Sequence, residues 1–132
     1  MTRPQLDFLK QWAEKAEEDL AVIEKLTEQG ITAKTALCFH CQQLAEKYLK
    51  LFLLCHERDI QKTHNIELLL EECGDIDPDF AAVDPKNLSD FGVTIRYPGD
   101  QYVLTDEEVL GYKALAISIK HLVIRKIKPF GL

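Results

Sequence analysis

Four polar side chains are spaced along the chain as they would be on one face of a helix. They lie three, four and three residues apart, so a helix would align them. Lysine and histidine at such positions can contact a phosphate, whereas a solvated helix face is the alternative for charges at this spacing. The four residues are His40, Gln43, Lys47 and Lys50.

Cys38 and Cys41 flank His40, and two thiolates one helical turn apart can share a metal ion or form a redox pair. A structural zinc site takes about four ligands. The sequence has no second pair of this kind, because Cys55 and Cys73 are isolated. We therefore predict four reduced thiols, with Cys38 and Cys41 in the core, and no metal or other cofactor.

Composition and charge limit the classes of function. The chain has 132 residues, of which 46% are hydrophobic and 29% charged, and we expect residues 1–132 to form one globular domain. The formal net charge of −6 opposes general attachment to phosphate backbones, so any contact with nucleic acid must be local. No apolar run approaches the roughly 20 residues that cross a bilayer, which favours a cytoplasmic protein without membrane contact.

Hydrophobic periodicity predicts the helices that would position these residues. Apolar residues at three- and four-residue steps indicate a first helix over 9–26, with Gly30 as its stop. A second, central helix is expected over about 35–56, capped by the hydroxyl of Thr32 or Thr35.

Three further helices are predicted from capping residues. Thr63 is expected to cap a short helix that ends at Cys73, before Gly74. Asp84 followed by proline indicates another helix to about residue 95. Thr105 and the acidic residues after it have the spacing of a capping box, which begins a last helix over about 106–127. Because no strand-like alternation persists, the predicted fold class is all-α, an antiparallel up-and-down bundle of four to five helices.

His121 falls on an apolar face of the last helix. It shares that face with Leu110, Ala114, Ile117 and Ile124. A hydrogen-bonded histidine in the core or at a dimer interface is the favoured interpretation, and a general base is the alternative.

Four segments together resemble the HEPN domain family in motif order and spacing. They are the run ALCFHCQQLAEKYLK at 36–50, then Lys62-Thr63-His64, the three leucines at 68–70, and Arg96-Tyr97-Pro98-Gly99. The resemblance covers nearly the whole chain. It implies a bundle of four or five helices, a homodimer, and a separate small nucleotidyltransferase as partner in a toxin–antitoxin-like pair.

Many members of that family are metal-independent ribonucleases. Their signature is an arginine followed, after four to six residues, by a histidine. Here the positions after Arg96 are Gln101, Tyr102 and Val103, so no histidine is available to move a proton. Arg58 and His64 match the spacing formally, but they lie in the connection after the central helix. A self-sufficient enzyme is therefore not expected.

The resemblance also suggests where a ligand would bind. Positions matched to the family can converge on one end of the bundle. There an arginine could bind a phosphate through two nitrogens, a lysine could bind it as a point charge, and a tyrosine ring could stack on a base. The predicted nucleotide- or phosphate-binding residues are Lys47, Lys50, Lys62, His64, Arg96 and Tyr97. A buried pair between Arg96 and a carboxylate such as Glu46 is an equal alternative.

The resulting hypothesis is a helical binding module associated with a nucleotide or RNA. Two alternatives remain open at this point. One is a ribonuclease toxin that uses Arg96 with an unusual base, His64 or His40, and the other is a purely structural protein-interaction domain.

Overall fold

The computed structural model describes residues 1–93 and 103–132. Within them the chain forms five α-helices and no named strand. The helices are α1 (Arg3–Thr27), α2 (Lys34–Cys55), α3 (Ile66–Ile76), α4 (Asp90–Val93) and α5 (Asp106–Ile127). Two short 3₁₀ helices follow α3 and α5, at Pro78–Ala82 and Lys128–Phe130. The predicted all-α class is confirmed.

α1 begins with a capping box that the periodicity alone does not reveal. The Thr2 hydroxyl accepts from the backbone N–H of Gln5, whose side chain accepts from the N–H of Thr2. Pro4 lies in the first turn, where its missing N–H costs nothing. The helix ends at Thr27, and Gly30 follows at a φ of +108° that favours glycine.

α2 starts differently from the prediction. Its N-cap is Ala33, held in the left-handed region at φ +46°, and no side chain caps the helix. The Thr32 hydroxyl instead donates to the carbonyl of Leu26, back towards α1. The prediction of a threonine cap was wrong because Thr32 serves the preceding helix end and Thr35 lies inside the first turn.

α3 also differs at both ends. Its N-cap is Asn65, whose side chain accepts from the N–H of Leu68, and not Thr63. The helix does not stop at Gly74 but continues to Ile76. Glycine suits that position for a packing reason, since a Cβ there would lie 3.3 Å from the Cβ of Ala81 in the following 3₁₀ helix.

The helix predicted from Asp84 does not form at that point. The Asp84 carboxylate accepts from the N–H of Lys86, and Lys86 itself has a φ of +50°. An aspartate that binds the backbone two residues later stabilises a turn, and a positive φ ends any helix. The helical residues begin only at Asp90, and residues 94–95 of the predicted helix lie outside the described part of the chain.

α5 begins and ends as predicted. Thr105 and Glu108 form the capping box, with side-chain to backbone hydrogen bonds in both directions. Lys126 near the other end contacts two carboxylates, Asp77 at 2.8 Å and Asp79 at 2.6 Å. The bonds to Lys126 lower the pKa of Asp77, and this pair ties the end of α5 to the 3₁₀ helix after α3.

α2 is the central helix and is buried along most of its length. It contacts α1, α3, α4 and α5. Its buried residues include Leu37, Leu44, Leu49 and Phe52. Such a helix, apolar almost all round, is expected only where neighbours cover every side.

α1 runs antiparallel to both α2 and α5. The carboxylate of Glu17 accepts from the Tyr48 hydroxyl of α2 at 3.0 Å and from Lys120 of α5 at 2.7 Å. Near the other end of α1, Lys113 donates to the hydroxyl of Thr27. One exposed carboxylate therefore joins the three long helices.

α5 runs in the same direction as α2. Lys34, at the start of α2, pairs with Asp106 at the start of α5, at 2.9 Å. His56, just past the end of α2, contacts the ring of Phe130, just past the end of α5. The predicted up-and-down alternation thus holds for α1 against α2 and α5. It does not hold for α2 and α5, because both helices start at the same end of the bundle. No helix in the described residues is long and apolar enough to span a membrane.

Candidate functional site

Two buried carboxylates organise the polar residues around α2. The first is Asp19 of α1, which is only 6% exposed. Its oxygens contact His40 Nδ1 at 2.8 Å and Lys47 Nζ at 2.6 Å. Asp19 was not expected as a partner, because α1 is an acidic helix whose other carboxylates are exposed.

The second carboxylate belongs to Glu46 of α2, which is 5% exposed. One oxygen contacts His64 Nδ1 at 2.8 Å and accepts from the amide of Gln42, while the other accepts from Lys50 at 3.1 Å. The Gln42 amide also donates to the backbone carbonyl of His64. Every buried side-chain nitrogen and oxygen in the described residues has a partner.

The environment of Glu46 favours its charged form. Burial is the largest single influence and would by itself raise the pKa of the carboxyl. Hydrogen bonds from Gln42, His64 and Lys50, with the charge of Lys50, together outweigh it, so the pKa lies below its ordinary value. Glu46 is therefore an anion that holds a buried ammonium group in place.

The two clusters have the same arrangement of contacts. In each, a buried carboxylate contacts a lysine through one oxygen and histidine Nδ1 through the other. A carboxylate at Nδ1 favours the tautomer with the proton on Nδ1 and leaves Nε2 for other partners. The side chain of His64 is 49% exposed and that of His40 30%, so His64 is the more accessible.

A surface cavity lies beside the Asp19 cluster. It has a volume of about 270 Å³ and is lined by Phe8, Gln11, Trp12, Lys15 and Lys47. That size is near the lower limit for small-molecule pockets, about 300 Å³. Lys47 belongs both to the cavity wall and to the ion pair with Asp19.

Most of this cavity is not evident from the apolar periodicity. That pattern places Trp12 on the apolar side of the first helix, and the structure has it half-buried, packed against the core and also at the cavity wall. Phe8 is 51% exposed. The signal that indicates the site is the spacing of Phe8, Trp12 and Lys15, four and then three residues apart, which places two rings and a cation on one helix face.

The predicted ligand-binding residues fall into separate groups. Lys50 and His64 meet at Glu46, and Lys47 lies at Asp19. Lys62 is exposed in the connection before α3. Arg96 and Tyr97 lie outside the described residues, so a phosphate site shared by all six stays a prediction.

The α2 polar strip is only partly a solvated face. Lys50 is 7% exposed, and His40 and Lys47 face Asp19. Gln43 donates to the side chain of Gln42.

The cysteines are core thiols, as predicted for Cys38 and Cys41. All four are free and buried. Burial raises the pKa of Cys38 and Cys55 to about 11 and that of Cys41 and Cys73 to about 12, so all four stay protonated at neutral pH. Within 1–93 and 103–132, no three or more His, Cys, Asp or Glu side chains lie together so that they could hold a metal ion.

His121 is exposed, so the prediction of a core position was wrong. Two residues of its face, Ile117 and Ile124, are half-buried and pack against the core, and a dimer interface stays a prediction. Arg58 is likewise exposed in the connection after α2.

The fold and these clusters define a helical-bundle module. The sequence profile of the HEPN domain matches residues 9–126, which is most of the chain. The protein belongs to the HEPN domain family, and at the level of the family this supports a helical module associated with nucleotides or RNA. No curated protein and no solved structure matches the chain significantly.

Proposed function

We propose that the protein is a single-domain module that binds a nucleotide or RNA by taking a base into the cavity between α1 and α2. The observation that carries this proposal is that two aromatic rings and two ammonium groups line one cavity, Phe8 and Trp12 beside Lys15 and Lys47. Stacking of a base on an aromatic side chain contributes about 1–3 kcal/mol and tolerates any base. A lysine beside the rings supplies a charge for the phosphate.

The two lysines contribute unequally. Asp19 already neutralises much of the charge of Lys47, at 2.6 Å. Lys15 is 69% exposed, and its contact with Glu18 is a surface pair at 3.6 Å, which is worth little. Lys15 is therefore the cation that is free to bind a phosphate, and Lys47 mainly holds the wall of the cavity.

The single tryptophan makes binding directly observable, because Trp12 lines the cavity. We expect ATP, GTP or a short single-stranded RNA to quench Trp12 emission and to release or absorb heat in calorimetry. Phe8→Ala should weaken binding at least about fivefold through lost stacking. Lys15→Ala should weaken binding as well and reduce its dependence on salt.

Lys25→Ala is the matched control. Lys25 lies on the same helix, is 81% exposed and pairs with Glu28 in the same i,i+3 arrangement, but it is about 15 Å further along the helix. Equal losses in the Lys15 and Lys25 variants would show that only general charge matters. No quenching and no heat with any ligand would contradict the proposal and favour a protein-interaction domain.

We further propose that the protein acts in the cytoplasm as a homodimer, beside a separate nucleotidyltransferase in a toxin–antitoxin-like pair. Family membership supports this arrangement. Light scattering at micromolar concentration tests the dimer, and a monomer there would contradict it. Co-purification from the natural host tests the nucleotidyltransferase.

The accessible His64 favours one second candidate, metal-independent cleavage of RNA. The Nδ1 atom of His64 is held by the buried Glu46, which leaves Nε2 to take the proton of a ribose 2′-hydroxyl as that oxygen attacks the adjacent phosphorus. The bond from phosphorus to the 5′-oxygen breaks in the same step, the 5′-oxygen takes a proton from water, and a 2′,3′-cyclic phosphate remains. Cleavage in the presence of a chelator, abolished by His64→Gln and retained in His121→Gln, would support this activity. Full cleavage by the His64→Gln variant would exclude His64 as the base.

A further inference from the structure

A second surface cavity adjoins the one proposed for a base, nearer to the start of α1. It has a volume of about 190 Å³ and lies between α1 and the residues at the end of α2. Phe8 lines both cavities and is about half exposed. The second cavity is lined by Met1, Gln5, Phe8, Leu9, Leu54 and Glu57.

Phe8 is the wall that the two cavities share. Along α1, Gln5, Phe8, Trp12 and Lys15 lie three, four and three residues apart, so they form one line on the helix surface. An exposed ring between two hollows can lie between two consecutive bases of a single strand, because every base stacks on an aromatic face. Neither cavity alone reaches the roughly 300 Å³ at which small-molecule pockets begin, whereas the two together do.

The second cavity has a hydrogen-bond acceptor and a donor in place of the two lysines of the first. Glu57 contributes a carboxylate, which forms no ion pair with any residue in 1–93 or 103–132. Gln5 Oε1 accepts from the N–H of Thr2, which leaves the amide nitrogen of Gln5 as a donor.

Guanine complements this combination of groups better than the other bases do. Its Watson–Crick edge has two N–H donors beside a carbonyl oxygen, so a carboxylate can accept both N–H groups while an amide donates to the oxygen. Adenine, cytosine and uracil each have one donor group on that edge. The polar groups of the second cavity therefore favour guanine.

The backbone at Glu57 supports a role for its side chain. Glu57 has a φ of +58°, in the left-handed region. Its N–H and that of Arg58 donate to the carbonyls of Leu54 and Leu53, a pattern that ends a helix and in which glycine is the usual residue. A glutamate there has a steric cost that glycine avoids. Its contribution to the cavity gives a reason for glutamate at this position.

We propose that the two cavities together bind two consecutive nucleotides of single-stranded RNA, with the ring of Phe8 between the bases and a guanine in the second cavity, selected by Glu57. This inference rests on the proposed function, in which the first cavity takes a base. It assigns the ligand as a segment of RNA and not a free nucleotide.

The first test compares ligands that differ by one base and carry the same phosphate. The dinucleotides ApG and GpA, which cover both strand directions, are titrated beside analogues in which the guanosine is replaced by an abasic ribose. Trp12 quenching and calorimetry should show that at least one dinucleotide binds at least about fivefold more tightly than its abasic analogue. Equal affinities in both pairs would overturn the second base site.

The second test removes the group that selects the base. Inosine lacks the amino group of guanine, so replacing guanosine by inosine in the tighter dinucleotide should weaken binding at least about threefold. Glu57→Gly should abolish this difference and also raise the temperature of unfolding, since glycine adopts a positive φ freely. A loss of selectivity in a more stable protein cannot result from a loss of folding.

Lys86→Gly is the matched control. Lys86 is exposed, has a φ of +50° and lines neither cavity, so glycine there should raise stability and leave the preference for guanine unchanged. A preference that persists in Glu57→Gly, or that disappears equally in Lys86→Gly, would overturn the role of Glu57.

The outcomes separate this inference from the proposed function. If ATP, GTP and RNA all fail to quench Trp12, the proposed function is wrong and this inference with it. If nucleotides quench Trp12 but a second base adds no affinity, the first cavity remains a base site and only the two-nucleotide site is overturned.

Discussion

Two buried carboxylates decide what Lys47 and Lys50 of α2 can do. The pair of Glu46 and Lys50 is visible from the sequence, because residues four apart on a helix face each other. The contact between Asp19 and Lys47 joins residues 28 apart, and no local pattern reveals it. Residue type alone therefore identifies which side chains could bind phosphate but not which of them are already paired.

The lowered pKa of Glu46 predicts how stability depends on pH. The unfolded carboxyl, with a pKa of about 4.3, binds a proton more readily than the folded one. The stabilisation is therefore complete above the unfolded pKa and is lost as the pH falls through the lower folded value. Urea unfolding from about pH 7 to about pH 3 should show a shallower acid decline for Glu46→Gln than for the unchanged protein.

The same substitution has a second effect at neutral pH. Glu46→Gln leaves the buried ammonium of Lys50 without its counter-charge, which should lower the free energy of unfolding by about 1–3 kcal/mol. Glu14→Gln, at an exposed position of α1, should change it by less than about 0.5 kcal/mol. Adding Lys50→Met to Glu46→Gln should recover part of the loss, and no recovery would show that the charge of Lys50 is not the cause.

At the level of the helices, the positions of the long helices follow from hydrophobic periodicity, whereas the residues at which they begin depend on contacts in the folded chain. α1, α2 and α5 lie where the apolar spacing predicts them, since each has a face to bury. Ala33 begins α2 in the left-handed region, at φ +46°, a conformation that alanine rarely adopts and that its residue type does not predict. A side-chain cap is predictable from sequence only where the capping hydroxyl has no nearer backbone partner, as Thr32 has in the carbonyl of Leu26.

Capping gives a direct comparison of a correct and an incorrect sequence prediction. Thr105→Ala removes the hydroxyl that accepts from Glu108 at the start of α5 and should cost about 1 kcal/mol of stability. Thr35→Ala removes a hydroxyl that caps nothing and should change stability by less than about 0.5 kcal/mol. Thermal unfolding of the two variants tests this difference, and equal losses would contradict it.

Two glycines in helices should respond to alanine in opposite directions. A Cβ on Gly92 of α4 would come within 2.6 Å of the Gln42 amide carbon and displace the bonds from Gln42 to Glu46 and His64. We expect Gly92→Ala to destabilise the protein by about 1–3 kcal/mol.

Gly111 of α5 is the counterpart. A Cβ there meets only Lys86 Nζ, at an ordinary 3.6 Å, so the helix propensity of alanine should stabilise the protein by about 1 kcal/mol. Chemical unfolding of both variants checks the signs. If both variants were less stable than the unchanged protein, helix propensity would not determine the effect of alanine at Gly111.

For the whole molecule, charge determines how a ligand can bind. With a net charge of −6, attraction to a nucleic acid must come from the few cations at the cavity. The logarithm of the binding constant should therefore fall with the logarithm of salt concentration at a slope between about −0.7 and −1.4, as for one or two phosphates of a single strand. Trp12 titrations at several NaCl concentrations measure it, and a slope beyond about −3 would require cations that the cavity does not have.

The overall class and the family follow from the sequence, because spaced apolar residues and an ordered set of short motifs persist along the chain. The direction of α5 relative to α2 does not follow, since the contacts that show it, such as Lys34 with Asp106, join residues far apart in the sequence. Of the residues that line the cavity, only Lys47 was predicted to bind a ligand. The aromatic wall of the cavity depends on how α1 is rotated against α2, which hydrophobic periodicity fixes only approximately.

The position of α5 against both α1 and α2 also bears on how the protein acquires its structure. Contacts such as Lys34 with Leu104, Thr27 with Lys113 and Glu17 with Lys120 join residues 70, 86 and 103 apart. Bringing such distant positions together slows folding relative to bundles whose neighbours are consecutive. On the ribosome, α1 and α2 emerge long before the helix that covers their shared apolar surface, so a nascent chain exposes that surface until α5 has been synthesised.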